Sequence, residues 1–366
     1  MTSNRSFDAP EFDEGTARSA LRSGIVWVIG FGAFIALVCI VLAKTDLGAD
    51  HAADLISRAS VKHLVAATAI MSFAFIFMSL RWRALLPPER RPPVIGLTAI
   101  ILAGLLLNYA LPGPVGELGA AWFVSRRYKI PIAEALTSGV TARMIGLATA
   151  ALLGAIFWWI APLDLPAGTS EAVAIAALLI GCGGVALLAL TLRPDIWIRL
   201  AQTLADRFDP ETTSGSVVHK LRDAVTSLAQ AAHTVLHNGR HKLLFAAFWS
   251  IAGHLTVTVG IATAIIGLDQ TVEWLGLIFT YTTTTAGAVV LFAFPGSQLG
   301  WDAMFATLLT TAAHIPKADA IAISLLVRMQ QLAYMLVGAG VVAWLLRTNQ
   351  FARESPPSIP DKADLP

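Results

Sequence analysis

The chain of 366 residues is 56% hydrophobic and only 14% charged, against about 25% charged in an average soluble domain, which excludes an ordinary water-soluble fold. With 26 Lys and Arg against 24 Asp and Glu the formal net charge is +2, so no global footprint points to nucleic acid or an acidic polymer. Specificity has to come from local placement of charge.

A spanning helix needs about 20 mostly apolar residues. The stretches 24–43, 64–80, 94–111, 132–160, 171–192, 243–267, 272–294 and 318–346 approach or exceed that length and predict an all-α, polytopic membrane helical bundle. Residues 1–23 are a polar N-terminal segment. The first stretch is too long for a signal-peptide core and lacks a small-x-small cleavage site, so it reads as an uncleaved anchor. Cys39 and Cys182 each lie in an apolar run with no second Cys, His or carboxylate at ligand spacing. Neither a metal nor a disulfide is expected at either one.

Arg and Lys bias orients the spans. Arg5, Arg18 and Arg22 place the N-terminus inside, the balanced link 44–63 suits the outside, and Arg81, Arg83, Arg90 and Arg91 suit the inside. Were 94–111 a simple span, the link with Arg126, Arg127 and Lys129 would fall outside and the link with Asp164 and Glu171 inside, inverting the rule twice. The pattern is restored if 94–111 dips in from the cytoplasm and Val115 to Val124 returns to the same side. Residues 132–160 then run outward, 171–192 inward and 243–267 outward. The stretch 272–294 dips in from the outside, Trp301 to Ala313 returns there, and 318–346 runs inward to Arg347 and Arg353. The expectation is six full spans plus two re-entrant broken-helix hairpins entering from opposite faces of a cell membrane, plasma or inner, with both termini cytoplasmic.

The connector 193–242 carries seven Arg and Lys and is assigned to the cytoplasm. In it Val217, Leu221, Val225, Leu228, Ala232 and Val235 recur at three- and four-residue spacing opposite Lys220, Arg222, Asp223 and Gln230. This predicts an amphipathic helix lying on the membrane surface or docking a partner. Residues 24–346 thus form one transmembrane domain, and 347–366, with prolines after 354, reads as a disordered tail.

Two passages repeat one pattern. The first holds Asn108, Pro112-Gly113 and Gly116-Glu117, followed by a span with Arg143 at its middle; the second holds Pro295-Gly296, Gly300 and Asp302, followed by a span with Arg328 at its middle. Glu117 precedes Arg143 by 26 residues and Asp302 precedes Arg328 by 26. Together with the opposed insertion directions this predicts an inverted repeat with discontinuous helices near the midplane.

An Arg at the centre of a spanning helix costs about 2.5 to 3.5 kcal/mol on insertion scales, so Arg143 and Arg328 must face the interior and find partners. Glu117 is the natural partner of Arg143 and Asp302 of Arg328, although the spacing equally allows the crossed pairs. The Pro-Gly breaks end the entering helices, and the returning helices aim their N-termini at the same region. Arginines with helix N-termini make an anion receptor. A capping and ion-pair role that only holds the hairpins together is the alternative.

At these residues the chain resembles the lysylphosphatidylglycerol synthase transmembrane-region family, also described as flippase-like membrane proteins. The likeness lies in Asn108, Pro112-Gly113, Gly116-Glu117, Arg143, Pro295-Gly296, Gly300 and Arg328, and in Arg81-Trp82-Arg83 closing the second span. It implies movement or handling of a lipid or lipid-linked substrate with an anionic or polar head, with a lipid-biosynthetic enzyme as an expected partner. Departures are Asp302 where relatives usually carry Glu, Ser297-Gln298 in place of a glycine-rich stretch, and a tail too short for an aminoacyl-transferase domain.

Further residues carry competing readings. Thr280 and Thr282 to Thr285 line a polar path or bond back to their own helix; His254 relays protons or joins two helices; Trp158, Trp159, Trp274 and Trp344 anchor span ends. No nucleotide loop, metal cluster or nucleophile-base motif is evident, so no cofactor is expected and the balance leans away from an enzyme. A translocase, an intramembrane enzyme acting on a lipid phosphate, and a non-catalytic subunit of an envelope-biosynthesis complex are the functions to separate. The topology predicts that a membrane-impermeant thiol reagent applied from outside labels Gly168→Cys and leaves Arg127→Cys unlabelled; the reverse pattern would overturn it.

Overall fold

The computed structural model describes residues 49–110, 115–160, 193–207, 240–291 and 297–347, with the isolated residues Arg222 and Thr226. The segments 1–23, 24–43 and 171–192, the helix expected at 217–235 apart from Arg222 and Thr226, both cysteines, the Pro-Gly pairs and the tail beyond Arg347 lie outside the described residues. Among those described, every element is helical. In chain order they are α1 (Ala49–Arg58), α2 (Val61–Leu85), a 3-10 turn (Pro88–Arg90), α3 (Val94–Ala110), α4 (Val115–Tyr128), α5 (Ile132–Ile160), α6 (Pro194–Ala205), α7 (Arg240–Ile266), α8 (Trp274–Leu291), α9 (Ser297–Thr311) and α10 (Lys317–Arg347).

Four of these, α2, α5, α7 and α10, are long and apolar enough to cross a membrane. Their outward side chains suit lipid: Phe73, Leu152, Phe245 and Leu336 are all more than half exposed. By contrast α3 and α4 have 17 and 14 residues and α8 and α9 have 18 and 15. At about 1.5 Å per residue all four fall short of a hydrocarbon core of about 30 Å.

Each short pair folds back on itself. At the open end of the α3–α4 pair, Arg90 donates to the Lys129 carbonyl and the Tyr128 hydroxyl abuts Gly96, so the end of α4 lies beside the start of α3. At the open end of α8–α9, Gly276 is pressed against the Ala312 carbonyl. The first hairpin feeds directly into the start of α5, whereas the second opens at the far end of α5, where Trp158 packs on Phe279 at 5.6 Å between ring centroids. The hairpins therefore open towards opposite ends of the bundle.

The packing is reciprocal. Helix α2 runs along α7, antiparallel to it, since the Ser60 amide donates to the Gly267 carbonyl. The first hairpin leans on α10 through α3, and the second leans on α5 through α8. Both seams close through glycine. A Cβ at Gly338 would lie 3.0 Å from the Leu102 carbonyl carbon and closer still to its oxygen, and one at Gly154 would lie 2.7 Å from Thr283 Oγ1. Small residues at such seams let backbones approach where no hydrophobic effect drives association. Each hairpin has its own apolar core, around Leu97, Ile100, Ile145 and Met335 for the first and Leu277, Phe305, Leu309 and Ile323 for the second.

Two elements were not read from the sequence as helices. The link expected as an outer loop contains α1, packed against α10, and the connector opens with α6, whose exposed Ile196, Leu200 and Leu204 recur at four-residue spacing, a face suited to a membrane surface. The glycine seam yields a prediction. Gly338→Leu should destabilise by about 1–3 kcal/mol through overpacking and lower the melting temperature in detergent. Gly340→Leu, with nothing within 4 Å of the new Cβ, should leave it unchanged or raise it.

Candidate functional site

The first hairpin is locked by one side chain. Asn108, near the end of α3, accepts a hydrogen bond from the Gly116 amide at 2.9 Å and donates from Nδ2 to Glu117 Oε1 at 3.1 Å. The Gly116 N–H belongs to the first turn of α4 and has no partner within its own helix; Asn108 supplies one from across the hairpin. Gly116 fits only as glycine, because a Cβ there would collide with Asn108 and the Gly104 carbonyl. Glu117, oriented by this contact, forms an ion pair with Arg143 of α5, while its Oε2 is buried without a hydrogen-bond partner.

The second hairpin repeats the logic with different parts. Arg328 of α10, only 3% exposed at its side chain, donates from Nε to Asp302 Oδ1 of α9 at 2.5 Å and from Nη1 to Gln331 Oε1. Its guanidinium lies 4.7 Å from the Trp301 ring centroid, a cation–π contact on a low-dielectric face, and Ser324 donates to the same Asp302 oxygen at 3.4 Å. Each carboxylate thus pairs with the arginine 26 residues after it, and the crossed pairing is not adopted.

Between the hairpins lies a cavity of about 420 Å³. Asn108, Gly116, Glu117 and Arg143 line it from one side and Trp301 and Arg328 from the other, and Asp302 stands behind Arg328. Gly300 is half-buried next to Trp301 but does not reach the cavity. Pro112, Gly113, Pro295 and Gly296 lie outside the described residues.

Arg81 is the residue that sequence reasoning assigned elsewhere. Its position near the end of α2 made it a marker of the inner face, yet it is 9% exposed and lines the cavity. The signal was present: Met71, Ala74, Met78 and Arg81 recur at three- and four-residue spacing and form one stripe of α2, all of it on the cavity wall. Arg83 lies on another face and donates to the Pro92 carbonyl.

Around Arg81 the hydroxyls and His254 form a directed chain. Thr149 donates to its own helix carbonyls at Ile145 and Gly146, both at 2.9 Å. Ser250 must therefore donate to Thr149, at 2.7 Å, and accept from Arg81 Nη1 at 3.1 Å. His254 donates from Nε2 to the Gly146 carbonyl at 2.9 Å, so it joins α7 to α5. Ser250 and His254, one turn apart on α7, are thereby committed to different partners and do not form a nucleophile–base pair.

The threonine run is mainly structural. Thr282 and Thr284 bond back to the Ile278 and Thr280 carbonyls, Thr280 reaches the Leu308 carbonyl of α9, and Thr285 alone of the run lines the cavity. Trp159, Trp274 and Trp344 are exposed and Trp158 half-buried near helix ends. Among the described residues no group of three His, Cys, Asp or Glu could hold a metal ion.

The buried pair supports a double-mutant prediction. Asp302→Leu, which strands the Arg328 cation, should cost about 3–5 kcal/mol, whereas Asp302→Leu with Arg328→Leu should recover most of that loss. Melting curves of the purified variants in detergent would show it, and equal losses in single and double variants would contradict it.

The family model described as the lysylphosphatidylglycerol synthase TM region matches residues 27–340. No curated protein and no solved structure matches the chain.

Proposed function

The chain belongs to the lysylphosphatidylglycerol synthase TM region family, and from that premise we propose that it translocates a lipid whose anionic or polar head enters the cavity between the two hairpins. It is an integral membrane protein of a family tied to lipid handling. The observation that carries the finer reading is the meeting of Glu117–Arg143 and Arg328 on one cavity in the interior of a lipid-facing bundle.

The volume favours a head and not a whole lipid. About 420 Å³ lies low in the range of small-molecule pockets, roughly 300 to 1,000 Å³, so acyl chains would remain in the bilayer while the head occupies the protein. Two charge pairs that close the empty site could open to a headgroup, since each arginine exchanges one oxyanion for another. In this reading Asn108, Gly116, Glu117, Arg143, Gly300, Asp302 and Arg328, with the Pro-Gly pairs 112–113 and 295–296, form the translocation machinery.

We read the two halves as an inverted repeat. Support comes from the matched helix lengths, the reciprocal packing, the opposed open ends of the hairpins and the equal 26-residue spacing. Such repeats alternate access by moving one half against the other around a fixed site. We assign the protein to the cell membrane with both termini cytoplasmic, a reading the distribution of Arg and Lys supports, with residues 24–346 as one transmembrane domain.

A vesicle assay tests the function. Purified protein in liposomes should accelerate transbilayer movement of a fluorescent anionic phospholipid, and Arg143→Leu combined with Arg328→Leu should reduce the rate at least about tenfold, the equivalent of one lost charge-assisted contact of roughly 1.4 kcal/mol. Failure to accelerate any anionic or glycosylated lipid would sink the proposal.

A further inference from the structure

Arg81 is a buried cation with no carboxylate answering it among the described residues. Glu117 is engaged by Arg143 and Asp302 by Arg328. Arg143, which lines the same cavity, lies within electrostatic reach of Arg81 and repels it. Of its five N–H donors, one reaches Ser250 Oγ, and Nε is buried without an acceptor. The hydroxyls beside it cannot serve a ligand as donors, because Ser250 gives its proton to Thr149 and Thr149 gives its own to the helix backbone.

The guanidinium is nevertheless held firmly. Gly146 provides a flat seat: a Cβ there would lie 2.9 Å from Arg81 Cζ and closer still to Nη1. Ser250 fixes one corner of the fork, and the Arg81 side chain forms part of the cavity wall. A planar fork held in place, carrying one net positive charge in a low-dielectric cavity, matches the paired oxygens of a phosphate group. With three arginines and two carboxylates, all of them at the cavity or directly behind it, one negative charge completes the balance.

We propose that Arg81, seated on Gly146 and oriented by Ser250, is the specificity-determining residue for a ligand bearing a phosphate-type oxyanion. This rests on the reading of the cavity as a headgroup site and assigns within it the residue that recognises the charge, apart from the two hairpin ion pairs. Glu117–Arg143 and Asp302–Arg328 then keep their partners in the resting protein, and selection for anionic over uncharged heads falls to α2.

Equilibrium binding to the purified full chain in nonionic detergent tests this without requiring transport. The probes are dihexanoyl phosphatidylglycerol, dihexanoylglycerol, which lacks the phosphate, and inorganic phosphate alone. The wild type should bind the phospholipid and not the diacylglycerol. Arg81→Gln should weaken phospholipid binding at least about tenfold, and Arg81→Lys, which keeps the charge but not the fork, should fall between. Removing an unanswered buried cation should also leave the ligand-free melting temperature unchanged or higher, whereas a purely structural role would lower it.

Arg81-dependent binding of inorganic phosphate without phospholipid binding would keep the oxyanion site and remove the lipid reading. Undiminished phospholipid binding by Arg81→Gln, or a wild type that binds neither probe, would overturn the assignment. If Arg81→Gln is unfolded or less stable, Gly146→Ala decides the matter. Its methyl displaces the guanidinium from its seat, so binding should weaken at least about threefold, and unchanged affinity would refute the role.

Discussion

A guanidinium enclosed by hydrocarbon must be answered by an anion, a ring face or a hydrogen-bond acceptor, and the arrangement of this bundle follows from three such demands. Arg143 is answered by Glu117 and Arg328 by Asp302 and the Trp301 ring. In each case the answering residue sits in the first half of a returning hairpin helix, so the charge pair fixes the hairpin against the long helix that follows it. The described hairpin helices are shorter than the long helices beside them, and an ion pair ties each returning one to its neighbour. The same requirement explains Asn108, which orients Glu117 and caps Gly116 in one move.

Much of this was legible in the sequence because membrane proteins announce themselves through length and charge. The hairpin expected over 94–124 came from the positions of Arg126, Arg127 and Lys129, which contradicted a simple span, and the chain does return at Lys129 to Arg90, beside the start of α3. The partners Glu117 and Arg143 followed from the expense of a central arginine. What sequence could not separate was the crossed pairing, since spacing along the chain says nothing about which hairpin leans on which span.

Arg81 was misassigned for a physical reason. An arginine four residues from a helix end can snorkel to the interface or turn inward, and both satisfy the same topology rule. Only the stripe of Met71, Ala74 and Met78 distinguishes them, and such a stripe gains meaning once the opposite wall of the cavity is known. Helix α1 escaped for another reason: ten residues with two acids and one arginine give no sign of a span, and the signal that could have found it was amphipathic, with Leu55 and Ile56 turned onto the second core.

The Gly146 carbonyl and its neighbours have a mechanical consequence. His254 from α7 ends on that carbonyl, Thr149 bonds to it from within α5, and Arg81 from α2 lies across the glycine while holding Ser250 of α7. Three long helices are thereby riveted at one level of the bundle by directional bonds that resist sliding. Helix α10 meets this block through gentler contacts, the Tyr334 hydroxyl on the Thr68 carbonyl and its ring edge-on to Phe75. If the bundle flexes, the fault line runs along α10, and the riveted trio moves as a single lever.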